Sequence, residues 1–376
     1  MNWKKNWMMT MTSVTWTRKR HSHNELLVKP VLSTFHRRGR AFAVSYLLVL
    51  TMLGGLVSGC RPKTEKETRT ILALDTYVTI TAEGRDAIKA VVDASSYIME
   101  MEEKFSRKKK ESEISKLNAS TESAPVELSS ETYAVLETVL LYSEKTQGLF
   151  DPTIAPVMDL WGFGTDPHVP EGKEIEKTLE QVDYRKVHLL SGNRAYVEEG
   201  TQVDLGGAAK GAIAAELMKR VRGYSVTKVI LDLGGNVCAW SKSGTLNIGI
   251  VSPSEPSALC CIYTLSKDQE MSVITSGAYE RYFEEAGVRY GHIMDPETGR
   301  PVKTDILSAT VIGQDGTVGD ILSTVLFAYG SERAREFAIA EEIDCILCVD
   351  NGTLWVSSSL KGKVDAQEGW TIEYFG

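Results

Sequence analysis

Beyond residue 70 the strand-like runs of this chain come in pairs, and that pairing limits the architecture more than any other feature. Residues 186–190 and 195–197 flank Gly192-Asn193, and residues 343–349 and 353–357 flank Asn351-Gly352. Glycine and asparagine between β-rich runs specify tight hairpins, because the turn positions need positive φ. Other strand-like runs lie at 71–81, 228–233, 246–251 and 272–275. Apolar residues at helical spacing (Ile88, Val91, Val92, Tyr97, Ile98, Met101, Phe105) mark a helix over 86–105. Residues 129–146, 208–221, 320–329 and 332–342 read as helices as well. Hairpins unevenly interleaved with helices predict an α+β fold, with antiparallel β-sheets packed against helices, rather than a doubly wound parallel sheet.

The first 59 residues have another purpose. Arg37, Arg38 and Arg40 precede an apolar stretch at 41–53, and Leu56-Val57-Ser58-Gly59-Cys60 follows. A basic segment, a short apolar segment and small residues before a cut site form a secretory signal. The apolar run is shorter than the ~20 residues that span a membrane. The Val-Ser-Gly-Cys ending resembles a bacterial lipobox, which makes Cys60 the lipidated first residue of the mature chain. That places the protein on the extracytoplasmic face of the cell membrane, held by a lipid anchor. Residues 1–36 are an N-terminal extension or an upstream start. Residues 60–70 lack an apolar period and read as a polar tether, leaving 71–376 as the working domain.

Charge separates the same two parts. Residues 1–60 hold nine Lys/Arg and one Glu, so the remainder carries a net charge of about −16 against −8 for the whole chain. A body that acidic excludes general nucleic-acid binding, which needs clustered cations. Beyond Cys60 the five cysteines are Cys238, Cys260, Cys261, Cys345 and Cys348, an odd number that argues against a disulfide framework. Cys345 and Cys348 have CxxC spacing, but on a strand they point to opposite faces.

Four segments carry chemistry. Val203-Asp204-Leu205-Gly206-Gly207-Ala208-Ala209-Lys210-Gly211 opens a helix, where backbone N–H groups and Lys210 suit an anion; a plain strand-to-helix turn fits equally well. His292, ahead of the Asp295-Pro296 turn, is one of three histidines in the body; it reads as a general base or as a hydrogen-bonded structural histidine. Asp320 and Thr324, four apart on a helix, present a carboxylate and a hydroxyl that suit Mg²⁺; alone, Asp320 reads as an acid at a helix N-terminus. Phe150-Asp151-Pro152-Thr153 and Trp161-Gly162-Phe163-Gly164 offer aromatics for a planar ligand or for ordinary core. Asp-Leu-Gly-Gly occurs twice, at 204–207 and 232–235.

Taken in order, these segments resemble the ApbE family, the FAD:protein FMN transferases. The resemblance also rests on residues 112–118 (SEISKLN) and 275–281 (TSGAYER), and spans about Leu74 to Gly330. It implies a T-fold-like α+β domain and an exported enzyme that moves the FMN part of FAD onto a Thr or Ser hydroxyl, releasing AMP. By the same resemblance Mg²⁺ is held by Asp320, Thr324 and the carbonyl of Gly207. FAD contacts Leu74, Phe150, Asp151, Asp204, Lys210 and Ile293, and His292 is catalytic. The implied partners are exported flavin acceptors: subunits of sodium-pumping NADH:quinone reductases, of Rnf-type complexes, or other flavinylated surface proteins. Ala278, Lys108 and Gly319 depart from the usual family residues. Two other readings keep the same flavin site, an FAD pyrophosphatase giving FMN and AMP, and a non-enzymatic surface FAD-binding lipoprotein.

Overall fold

The computed structural model describes residues 65–376; the leader, Cys60 and the start of the tether lie outside them. Nine strands form the main sheet: β1 (Glu65–Ala73), β2 (Thr76–Gly84), β3 (Val226–Leu233), β4 (Asn236–Ser241), β5 (Glu270–Ser276), β6 (Ile306–Gly313), β7 (Cys345–Val349), β8 (Thr353–Ser357) and β9 (Thr371–Phe375). They lie side by side in the order in which the chain visits them. Every neighbouring pair is antiparallel except β8–β9. The remaining elements are excursions from this meander. Helices α1 (Ala87–Phe105), α2 (Glu113–Asn118), α3 (Ser130–Lys145), α4 (Ala155–Leu160), α5 (Gly172–Leu179) and α6 (Ala209–Arg222) all fall between β2 and β3. Helices α7 (Gly316–Tyr329) and α8 (Ser331–Ala340) connect β6 to β7.

Period-two alternation decides what covers each face. Cys345, Leu347 and Val349 of β7 pack with Leu322, Leu326 and Phe327 of α7 and with Ala334 and Ala338 of α8. Ile346 and Cys348 point the other way, onto a small sheet that includes Leu246–Val251 and Leu259–Leu265. The CxxC pair is therefore split between two cores, as its strand position requires. Val78, Ile80, Val229 and Leu231 face α1 and α6. Each such large side chain contributes about 1.5–3 kcal/mol by leaving water. No helix of the described residues is long and apolar enough to cross a membrane.

The structure corrects several boundaries. Residues 65–70, read as part of a tether, form the first two thirds of edge strand β1 and pair with β2 from Glu65↔Gly84 to Thr70↔Thr79. Their alternation of charged residues and threonines lacks an apolar period because an edge strand need bury little. The single strand read at 71–81 is two strands joined by a two-residue turn at Leu74-Asp75. Helix α7 begins four residues before Asp320, with Asp315 as its N-cap (its side chain accepts from Val318 N). Asp320 therefore lies in the second turn and is not an acid at the helix start.

Candidate functional site

One end of the main sheet gathers most of the flagged residues. The β1–β2 turn, the β3–β4 turn, the end of β5, the first turn of α6 and the middle of α7 meet there. Leu74 and Asp75 both hold positive φ (54° and 56°), the conformation of a type I′ turn but without glycine. A left-handed leucine costs roughly 1–2 kcal/mol, a cost typical of functional loops. Side chains tie this turn down. Leu74 N donates to Glu102 Oε2 (3.4 Å), Arg281 Nη2 donates to Asp75 O (3.2 Å), and Lys108 Nζ lies 3.8 Å from Asp75 Oδ2.

The first Asp-Leu-Gly-Gly turn is fixed from both sides. Asn118, in α2, donates to Val203 O (3.0 Å) and accepts from Val203 N (2.7 Å). Asp204 Oδ1 accepts from Gly206 N (2.7 Å), and its Oδ2 accepts from Arg107 Nε (2.7 Å). Arg107 also reaches Asp159, so this cation is shared between two carboxylates. Sequence reasoning did not single out Arg107, because its partners are distant in the chain. Gly207 faces the ring of Phe150; a Cβ there would lie 2.9 Å from Phe150 Cε2, so only glycine admits the contact.

Two flagged flavin contacts have side chains engaged elsewhere. Asp151 is 8% exposed, and its carboxylate accepts from Thr153 N, Thr153 Oγ1 and Tyr184 N. Ile293 is 8% exposed and belongs to the core beside Leu322 and Leu326. These positions offer a flavin their backbone more readily than their side chains.

Asp320 enters the site through a close helix crossing. A Cβ on Gly211 would lie 2.0 Å from Gly316 O and 2.8 Å from Asp320 Cβ, so α6 and α7 approach at two glycines. This proximity lets Gly211 N donate to Asp320 Oδ2 (2.9 Å). Helix α6 has no side-chain cap of its own, and Asp320 supplies one from the neighbouring helix. Asp320 is 4% exposed. Burial raises its pKa, while Lys210, Asn236 and the Gly211 N–H favour the ionised form. Around it lie hydroxyls: Ser276 Oγ is 2.8 Å from Ser323 Oγ and 3.2 Å from Thr324 Oγ1. Among the described residues no three His, Cys, Asp or Glu side chains converge on a metal position. A carboxylate with neighbouring hydroxyls remains, and hard oxygen donors of this kind fit Mg²⁺.

His292 and Glu280 both lie within reach of the charges of Lys210 and Arg281. His292 N and Nδ1 both donate to Arg281 O (3.0 and 3.1 Å), which leaves Nε2 as the free, unprotonated nitrogen. Burial, then the positive charges of Arg281 and Lys210, push its pKa down to about 4. The side chain of Glu280 is exposed; desolvation by the surrounding protein and the charge of Asp320 push its pKa up, against Lys210 and Arg281. Lys210 thus stands within electrostatic reach of His292, Glu280 and Asp320 together. His168 and His188 are engaged elsewhere, with Asp166 O and Glu198.

The ApbE family model matches residues 74–347. The chain belongs to the ApbE family. Among relatives of this ApbE chain, the FAD:protein FMN transferase of Treponema pallidum is 31% identical over 318 residues, covering 77% of this chain and 87% of that protein. The FAD:protein FMN transferase of Klebsiella pneumoniae is 33% identical over 254 residues, covering 66% and 78%. The crystal structure of the ApbE protein from Thermotoga maritima superposes with a TM-score of 0.74 at 28% identity, over 80% of this chain and 99% of that one. The α+β architecture expected of an ApbE chain is the one observed.

Proposed function

We propose that this ApbE protein transfers the FMN moiety of FAD to a Thr or Ser hydroxyl of an exported protein and releases AMP. The observation that supports the reading is a shared charge neighbourhood: Lys210 acts on a neutral histidine with one free nitrogen and on a buried carboxylate set among hydroxyls. His292 Nε2 accepts the proton of the acceptor hydroxyl, and its oxygen forms a bond to the FMN phosphorus as the bond to AMP breaks. Lys210 and the first turn of α6 face the pyrophosphate charge. Asp320, Thr324 and the carbonyl of Gly207 are the residues that would hold Mg²⁺, which would neutralise and orient the pyrophosphate. The Leu74 turn, Phe150 and Asp204 border the flavin, with backbone contacts from Asp151 and Ile293.

Cys60 lies outside the described residues. The lipobox-like ending supports a lipid anchor on the outer face of the cell membrane, which would bring the site to exported acceptors such as quinone-reductase or Rnf-type subunits. Loss of labelled palmitate incorporation in Cys60→Ala tests the anchor.

For the activity, the chain from Arg61 is incubated with FAD, Mg²⁺ and an acceptor domain bearing an Asp-x-x-Ser/Thr-Gly-Ala-Thr motif, and intact mass is measured. The acceptor is expected to gain FMN, and the gain to vanish with EDTA, with His292→Ala and with Asp320→Ala. Release of AMP without labelling would replace the transferase by an FAD pyrophosphatase. Bound FAD with neither product would leave a flavin-binding lipoprotein.

A further inference from the structure

Four consecutive cations, Arg107 to Lys110, lie in the connection from α1 to α2 of an acidic body. Lys108 and Lys109 reach carboxylates near the surface, Asp75 at 3.8 Å and Glu103 at 2.7 Å. Arg107 differs from them. Its side chain is only 15% exposed, and both sides of its guanidinium are engaged. Nη1 donates to Asp159 Oδ2 (2.9 Å) and Nη2 to Asp159 Oδ1 (2.5 Å), a two-point fork on α4. Nε donates to Asp204 Oδ2 (2.7 Å). The backbone behind it is fixed as well, since Ser115 Oγ of α2 donates to Arg107 O (2.9 Å). One guanidinium between two carboxylates leaves an excess negative charge. Ion groups taken out of water add little net stability, because desolvation offsets their attraction, so the arrangement calls for another reason.

That reason lies in what Arg107 holds. Asp204 Oδ1 accepts from Gly206 N and Oδ2 from Arg107 Nε, which leaves a lone pair on each oxygen among the described residues. The carboxylate is still 33% exposed, so a ligand can reach it. Asp204 N donates to Pro152 O (2.7 Å), and Gly207 faces the Phe150 ring. The two segments proposed to border the flavin, 150–152 and 204–207, are thus joined at Asp204.

We propose that Arg107 is a positioning residue for flavin binding. Its fork is anchored on Asp159, and its Nε–H fixes the plane of the Asp204 carboxylate. The remaining lone pairs of Asp204 then accept from N–H or O–H donors on the flavin half of FAD. This inference rests on reading Asp204 as a flavin contact. Lysine cannot do the same, because a single ammonium does not reproduce a planar fork on one carboxylate and a third donor on another.

The test measures the two halves of the substrate separately on the chain from Arg61, which contains the whole compact unit Thr64–Gly376. FMN, followed by its fluorescence, reports the flavin half, and ADP with Mg²⁺, followed by calorimetry, reports the nucleotide half. Arg107→Met, which keeps the length of the stem, is expected to weaken FMN about 10–100-fold, the loss of one charged hydrogen bond. ADP affinity should stay at the parent value. Arg107→Lys keeps a cation in place and serves if methionine loosens the loop; it should lose most of the same affinity. The double variant Arg107→Met with Asp204→Ala should bind FMN as Asp204→Ala alone does, because Arg107 acts through that carboxylate. Parent-like FMN affinity in either Arg107 variant, with a loss in Asp204→Ala, would overturn the role of Arg107 alone. Additive losses in the double variant would overturn it too, by placing the action of Arg107 elsewhere. Equal losses of FMN and ADP would reduce Arg107 to a staple of the framework and overturn it as well. Parent-like FMN affinity in Asp204→Ala would remove the flavin reading of Asp204 and this inference with it.

Discussion

At the scale of single residues, the site depends on buried groups whose ordinary ionisation has been shifted. His292 is the clearest case. Its pKa falls to about 4 from a usual 6.5 because burial and two nearby cations disfavour imidazolium. As the proposed base, the imidazole is therefore unprotonated at neutral pH, and no rate loss from its protonation is expected as pH falls from 8 to 5. Stability behaves differently. Between pH 6.5 and 4 the unfolded chain binds a proton at this position that the folded chain refuses, so folding weakens as pH falls through that window. His292→Gln should lose this dependence. Relative to the parent, the variant should gain on the order of 2 kcal/mol on going from pH 7.5 to pH 5, read by urea denaturation at both values.

At the scale of elements, the α6–α7 crossing decides whether Asp320 reaches the cleft. Gly211→Ala places a Cβ 2.0 Å from a backbone oxygen that cannot swing away. The helices must separate, and a loss of about 1–3 kcal/mol or more is expected by denaturant titration, together with weaker metal binding. Gly319→Ala is the contrast on the same helix. Its Cβ would meet the tip of the Ile274 side chain, at 3.1 Å from Cδ1, and Val311 Cγ1 at an ordinary 3.9 Å. The better helix propensity of alanine, about 1 kcal/mol, offsets that contact, so the net change should stay below about 1 kcal/mol. The two glycines are indistinguishable in sequence; only the neighbour each one meets separates them.

At the scale of the molecule, the sheet is a nine-strand meander in chain order, into which the helical excursions are inserted. Its first strand was the least visible in the sequence. Glu65–Thr70 carry no apolar stripe, yet Thr68–Thr81 and Thr70–Thr79 hydroxyl pairs (3.1 Å each) cross β1 and β2. A chain begun at Ile71 should unfold at a lower temperature than one begun at Arg61. The loss should be on the order of 1–3 kcal/mol, since cross-strand pairs contribute about 0.2–1 kcal/mol each. Calorimetry of the two chains checks this. The shorter chain also leaves the strained Leu74-Asp75 turn with half a hairpin, so its flavin affinity should fall as well.

Much of the fold is local and was legible along the chain. Helix spacing and the tight turns at Gly192-Asn193 and Asn351-Gly352 act within a few residues, so their signals lie in short windows. The opposite faces of Cys345 and Cys348 followed from strand geometry alone. Flagged residues such as His292, Asp320 and Lys210 were visible as types in an ordered set of motifs. What joins them was not visible. The acceptor for the imidazole is the Arg281 carbonyl, the partner of Asp204 is Arg107, and the donor to the Asp320 carboxylate comes from another helix. Asp151 and Ile293 show the converse, since burial committed their side chains to the framework. The sequence by itself determined which elements form and which reactive groups exist, because those depend on neighbours in the chain. Tertiary structure decided which groups share a cleft and in what ionisation state, because desolvation and charge act across space between residues the chain keeps far apart.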